Sequence, residues 1–260
     1  MSSHLDVTEL SVEFGGLQAL IDVSITFPPG KIVGIIGPNG AGKTTLLNAI
    51  CGLLPVTKGR VTLDGRELVG LRPDQIALAG VRRTFQSSQL FSGMTVLENM
   101  MAGMHLMGRC GFWPTAFHTK SVRLEESEMR RKALDALDYV GFAHFADRPG
   151  NALSFGQQRI IEIARTLIFE PRVVLLDEPA VGLSLNRVDE LDALLRRIRD
   201  ERGITLVMIE HVIRLVMGVA DHIVVLSSGR KIAEGFPDAV RDDQMVIEAY
   251  LGRQATHHHA

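Results

Sequence analysis

Only two cysteines, Cys51 and Cys110, occur in the 260 residues, too few for a framework of disulfides. No stretch approaches the roughly 18 consecutive apolar residues that a membrane-spanning helix needs. The N-terminus, MSSHLDVTEL, lacks the basic segment and apolar run of a secretory signal. Neither sign of charge dominates: 28 Lys and Arg oppose 30 Asp and Glu, for a formal net charge of -2. That balance provides no general pull toward nucleic acid or acidic lipid. There is no internal repeat and no low-complexity segment. These absences lead us to expect a soluble, cytosolic chain that meets a membrane only through a partner. The run His257-His258-His259 near the end reads as a tag remnant or a frayed native tail.

What is present is apolar and patterned. Hydrophobic residues make up 46% of the chain, enough to bury a sizeable core in one large domain. Segments 5–14 and 20–27 flank Gly15-Gly16 in a hairpin pattern. Residues 31–36 form a compact apolar run ending at Gly37, residues 44–50 read as a helix stopped by Gly52, and 60–63 as a strand before the Asp64-Gly65 turn. From about 96 to 140 the pattern turns helical, with Met129, Ala133, Leu137 and Val140 at helical spacing. An irregular loop within it carries the one tryptophan, Trp113. Helix 154–169, strand 173–176, helix 186–202 and strand 205–209 follow, then a strand pair, 223–226 and 231–233, turning at Ser228-Gly229. This alternation predicts an α/β fold, a mostly parallel sheet covered by helices and interrupted by a helical insertion.

Three segments carry chemistry. Gly37-Pro38-Asn39-Gly40-Ala41-Gly42-Lys43-Thr44 satisfies every fixed position of G-x-x-x-x-G-K-[ST], with a strand before it and a helix after. Its glycines let backbone N–H groups converge on an anion, and the helix adds the positive end of its dipole. Lys43 supplies a point charge for the β- and γ-phosphates of ATP, and the Thr44 hydroxyl suits Mg²⁺. In Val173-Val174-Leu175-Leu176-Asp177-Glu178-Pro179 two acids close an apolar strand, the place where open α/β sheets bind ligands. Asp177 is placed to hold Mg²⁺ directly or through its water, and Glu178 to accept a proton from an attacking water. The third segment, Leu153-Ser154-Phe155-Gly156-Gln157, opens a helix. Ser154 reads as its N-cap, and Gly156 allows a ligand close to the backbone.

In their order, from residue 5 to 252, these motifs resemble an ATP-binding-cassette (ABC) ATPase. The resemblance implies a P-loop core of RecA type, with an antiparallel β subdomain and an inserted helical subdomain. The expected division is residues 1–86 and 154–260 for the core with its β subdomain, and 87–153 for the insertion. Leu153 to Gln157 stands where the family has its signature sequence, so Ser154, Gly156 and Gln157 are expected to bind the γ-phosphate of a nucleotide held by a second cassette. Gln86, in Arg83-Thr84-Phe85-Gln86, matches the Q-loop glutamine, with a role in metal binding and catalysis. His211, in Ile209-Glu210-His211, matches the switch histidine, and Phe14 the aromatic that stacks on adenine. Thr45 extends the nucleotide-binding set.

Within the family the chain is similar to the ATPase subunits of branched-chain amino acid importers. The matching segments are Phe14-Gly15-Gly16-Leu17, Arg83 to Gln86, Met94-Thr95-Val96-Leu97-Glu98-Asn99, Ile232-Ala233-Glu234-Gly235 and Val246 to Gly252. The implied partners are a second ATPase chain, identical or paralogous, separate transmembrane permease subunits, and indirectly a solute-binding protein. The implied location is the cytoplasmic face of the plasma membrane, and no nucleic acid is expected. A lipid or lipopolysaccharide exporter ATPase and a soluble cassette acting on nucleic acid or ribosomes are the alternatives. The insertion 99–121 and the C-terminal match oppose the exporter. The single phosphate loop and the absence of a basic excess oppose the nucleic-acid cassette. Gly182-Leu183-Ser184-Leu185 departs from the family, which has Asp or Asn followed by Pro there. Ser184 is expected to cap the helix that follows it.

Overall fold

Alternation around Gly15-Gly16 gives two long antiparallel strands, β1 (Leu5–Phe14) and β2 (Leu17–Phe27). The computed structural model describes residues 4–84, 90–105 and 120–251. The remaining strands are β3 (Ile32–Ile36), β4 (Lys58–Leu63), β5 (Arg66–Glu67), β6 (Val81–Arg83), β7 (Val173–Asp177), β8 (Thr205–Ile209), β9 (His222–Ser227) and β10 (Arg230–Gly235). The described helices are α1 (Lys43–Ile50), α2 (Pro73–Ala79), α3 (Val96–His105), α4 (Lys120–Tyr139), α5 (Phe155–Leu167), α6 (Leu185–Arg202), α7 (Ile213–Val219), α8 (Pro237–Arg241) and α9 (Gln244–Leu251). They belong to two compact units, Met1–Gln86 with Pro171–Ala260, and Ser87–Glu170.

The first unit holds both sheets. A four-stranded antiparallel sheet runs β2-β1-β4-β5, and a six-stranded one runs β10-β9-β3-β8-β7-β6. In the larger sheet every pairing is parallel except β9 with β10. All residues of β3, β7 and β8 are buried, which is why they read as unbroken apolar runs. Helix α6 lays down a buried stripe of Val188, Leu191, Leu194, Leu195 and Ile198. Each such side chain contributes about 1.5–3 kcal/mol of burial. Asp221, just before β9, ties the start of that strand to β3 and α6: its carboxylate accepts the Ile32 N–H at 2.9 Å and pairs with Arg199 at 3.1 Å.

The second unit is helical. At the start of α3, Thr95 and Glu98 form a reciprocal cap, Thr95 N–H to Glu98 Oε2 at 2.7 Å and Glu98 N–H to Thr95 Oγ1 at 3.2 Å. Asn99, fully buried, donates to the carbonyls of Phe91, Met94 and Thr95 and accepts the Phe91 N–H. These bonds satisfy a polar side chain that would otherwise be costly inside. Ile161, Ile163, Ala164 and Leu167 form the apolar face of α5. Beside them Arg159 and Glu162 are buried as an ion pair at 2.9 Å.

Six elements were not anticipated by sequence pattern: β5, α2, β6, α7, α8 and α9. Each is short, eight residues at most, so a periodicity has little room to show.

Candidate active site

Sheet register gathers the site. Ile35 of β3 lies opposite Ile209 of β8, and Ile209 lies opposite Asp177 of β7. Adjacent strands are about 4.8 Å apart, so the segments after β3, β7 and β8 leave side by side from the carboxyl end of the sheet. They enclose a cleft of about 580 Å³. Its lining includes the phosphate loop from Asn39 through Thr45, with Glu178 and His211. Leu17, Gln18 and Ala19 of β2 and the turn Ser228-Gly229 also line it, and sequence motifs had not pointed to these.

The loop's form follows from close backbone packing. Gly37 has φ +149° and a Cβ there would meet the Leu226 carbonyl oxygen at 2.0 Å. Gly42, at φ +100°, faces the Ala19 carbonyl oxygen, 2.8 Å from where a Cβ would be. Only glycine fits either position. Gly42 is also the N-cap of α1 and has no side chain to cap it, so the helix start is left to the backbone N–H groups. Lys43 is 6% exposed and its ammonium donates to the carbonyls of Gly37 at 2.7 Å and Pro38 at 3.0 Å. The cation is thus folded over its own loop. Thr44 is exposed and Thr45 partly so.

Glu178 and His211 meet across the strand ends, Glu178 Oε1 to His211 Nε2 at 2.9 Å. Glu178 has φ +49°, an uncommon backbone conformation for a residue with a side chain. Its N–H donates to the Ile209 carbonyl at 2.9 Å, which locks β7's end to β8's. This arrangement, a carboxylate hydrogen-bonded to an imidazole beside a phosphate loop, is equipped to accept a proton from water.

Asp177 is buried and accepts from Arg83 Nη2 at 2.7 Å, while Arg83 Nη1 donates to Asn48 Oδ1 of α1. Arg83 and Asn48 thereby join the neighbourhood of the site, although Asn48 belonged to no motif and Arg83 only opened the segment that leads to Gln86. Burial pushes the nearby Cys51 thiol up to about 11, which keeps it protonated and unreactive at neutral pH. Among the described residues no group of three or more His, Cys, Asp or Glu could cage a metal. The oxygen donors Thr44 and Asp177 nevertheless suit a hard cation that keeps water and phosphate ligands, as magnesium does.

The other predicted residues stand as follows. Phe14, 40% exposed, pairs in register with Leu17, which lines the cleft. Gln86 lies outside the described residues. Ser154, Gly156 and Gln157 belong to the second unit. There Gln157 N–H donates to Ser154 Oγ at 3.3 Å and Ser154 N–H to Gln157 Oε1 at 2.9 Å, a complete capping box. Phe155 is 41% exposed, with the Arg159 guanidinium 5.4 Å from its ring centre. Ser184 does occupy the N-cap position of α6, but its side chain makes no capping bond, contrary to expectation. The third residue of that helix is Arg187, which pairs with Glu190 and cannot return the reciprocal bond that Gln157 supplies to Ser154.

Comparison with known proteins agrees with this geometry. Residues 20–181 match the ABC transporter family model, and residues 230–256 match one for branched-chain amino acid ATP-binding cassette transporters. The chain is 42% identical over 248 residues to the high-affinity branched-chain amino acid transport ATP-binding protein BraF of Pseudomonas aeruginosa, covering 95% of this chain and 97% of that one. It is 41% identical to LivG of Escherichia coli, over the same shares. Among solved structures, an ATP-binding cassette of an ABC transporter in its ADP conformation superposes with a TM-score of 0.85 at 33% identity, covering 97% of this chain and 100% of that one. A dimeric cassette in a post-hydrolysis state bound to ADP and Pi has a TM-score of 0.75 at 27% identity, covering 90% and 98%. With residues 39–45, Glu178 and His211 lining one cleft, and with these relatives, the chain belongs to the ABC transporter family as one of its ATP-binding cassettes.

Proposed function

We propose that this cassette binds and hydrolyses ATP in the cleft after β3, β7 and β8 and so powers an importer of branched-chain amino acids or related small amides and acids. The observation that carries the reading is the 2.9 Å contact of Glu178 with His211 in the cleft that Lys43 and Thr44 line. In the loop from Gly37 through Thr45, backbone N–H groups of Asn39, Gly40, Ala41, Gly42 and the residues after them form the anion cradle, Pro38 having none to give, and Lys43 turns from its own carbonyls to the β- and γ-phosphates. Glu178 takes the proton of the attacking water, and His211 orients that carboxylate. Thr44 and Asp177, with Gln86, would hold Mg²⁺, which when bound neutralises charge on the β- and γ-phosphates.

Phe14 stacks on the adenine. Phe14→Ala is therefore expected to weaken ATP binding by about 0.5–1.5 kcal/mol, or roughly 2- to 12-fold. Titration calorimetry checks this; unchanged affinity would remove Phe14 from the adenine site.

Ser154, Gly156 and Gln157 are assigned to the nucleotide of a second cassette, identical or paralogous, in a sandwich that ATP closes and hydrolysis opens. The dimeric relative bound to ADP and Pi supports that assembly. Among the described residues no helix is long and apolar enough to cross a membrane. The membrane-spanning path is accordingly assigned to separate permease chains, with this cassette at their cytoplasmic face and a solute-binding protein on the other side. The test of cargo is uptake of radiolabelled leucine, isoleucine and valine by native cells lacking the chain. Uptake is expected to fall at least about tenfold, restored by the wild-type chain but not by a form without Glu178's carboxylate. Undiminished uptake would contradict the assigned cargo.

A further inference from the structure

Glu210 follows β8 and is 1% exposed, yet it carries a carboxylate. A buried acid is expensive unless its oxygens are bonded, and here both are. One oxygen, Oε1, accepts the Ala180 N–H at 2.5 Å, and the other, Oε2, accepts the N–H groups of His211 at 3.1 Å and Val212 at 3.3 Å. Ala180 lies two residues beyond Glu178, so the acid bridges two segments that leave neighbouring strands. We propose that Glu210 is a positioning residue for hydrolysis: it holds the backbone on both sides of the Glu178–His211 contact at the separation that contact needs.

Three observations meet in this reading. Glu178 is held at φ +49°, and such a conformation persists only where its surroundings over-determine it. The bond from Glu178 N–H to Ile209 fixes the residue from one side, and the bond from Ala180 N–H to Glu210 fixes it from the other. On the β8 side, the same carboxylate sets the direction in which the backbone leaves at His211, whose imidazole is 41% exposed and hydrogen-bonded through Nε2 to Glu178 Oε1. Burial raises the Glu210 carboxyl's affinity for its proton and the three backbone N–H groups oppose that shift.

The inference rests on the assignment of Glu178 and His211 to hydrolysis. The test compares Glu210→Gln with wild type for ATP turnover and for ATP affinity. Glutamine keeps the volume but offers one accepting oxygen in place of two, so either the Ala180 arm or the His211 arm is lost. A misplacement of about 1 Å near reacting atoms costs on the order of 100-fold. The expected result is a kcat lowered at least about tenfold, with the ATP Kd within about twofold of wild type. In a Glu178→Gln background the same change is expected to add no further loss, because Glu210 acts through that residue. If Glu210→Gln does not fold, Glu210→Asp, which keeps the charge and shortens the reach, is measured instead with the same expectation. Unchanged kcat in a folded variant overturns the proposal, as does an equal loss of kcat and ATP affinity. Full activity in Glu178→Gln would instead overturn the assignment of the base and leave that failure distinguishable from this one.

Discussion

Glu178→Gln is expected to lower ATP turnover by about 100- to 10,000-fold, the usual contribution of a positioned general base. The substitution keeps the side chain's size and can retain a hydrogen bond with His211, at 2.9 Å in the native pair. What it removes is the capacity to take a proton from water. The phosphate loop and Lys43 stay as they were, so ATP binding should be close to unchanged. In the proposed sandwich of two cassettes ATP then persists, so the variant should also accumulate as an ATP-bound pair, visible by light scattering. Hydrolysis at the wild-type rate would remove Glu178 as the base.

The second large effect is expected at Lys43. Its ammonium is 6% exposed and held by two carbonyls of its own loop, at 2.7 and 3.0 Å. Bringing phosphate oxygens to it exchanges neutral acceptors for charged ones, and a charge-assisted hydrogen bond contributes about 1.5–3 kcal/mol. Lys43→Ala should therefore weaken ATP binding by about 10- to 150-fold. The same change strips a donor from the Gly37 and Pro38 carbonyls, so the loop itself should become less ordered. Titration calorimetry with ATP checks the first effect, and normal affinity would contradict the phosphate-loop assignment.

What was legible in the sequence was local. The phosphate loop is eight consecutive residues, and two of its three glycines, Gly37 and Gly42, answer to close backbone contacts that no other residue permits. The apolar runs ending in Asp177 and Ile209 are legible because strands buried on both faces are filled almost wholly by apolar side chains. Parallel alternation then implies that their ends meet, and the register bears this out. What was not legible depends on partners distant in sequence. Arg83 reaches Asn48 and Asp177, 35 and 94 positions away, from a three-residue strand that has no pattern of its own. Glu210 stood in plain view beside His211, but its significance comes from Ala180, 30 positions earlier. Ser154 and Ser184 look alike as caps in sequence and both occupy N-cap positions, yet the Gln157 N–H goes to the Ser154 hydroxyl while the Arg187 N–H goes to the Ser184 backbone carbonyl.

The central claim is that this cassette serves a membrane transporter, and the most direct measurement is its purification from native membranes in mild detergent with identification of the chains that accompany it. The account predicts two polytopic membrane chains and a second ATP-binding cassette, in fixed proportion to this one. Recovery with ribosomes or DNA, and with no membrane chain, would leave the ATPase chemistry standing and contradict transport.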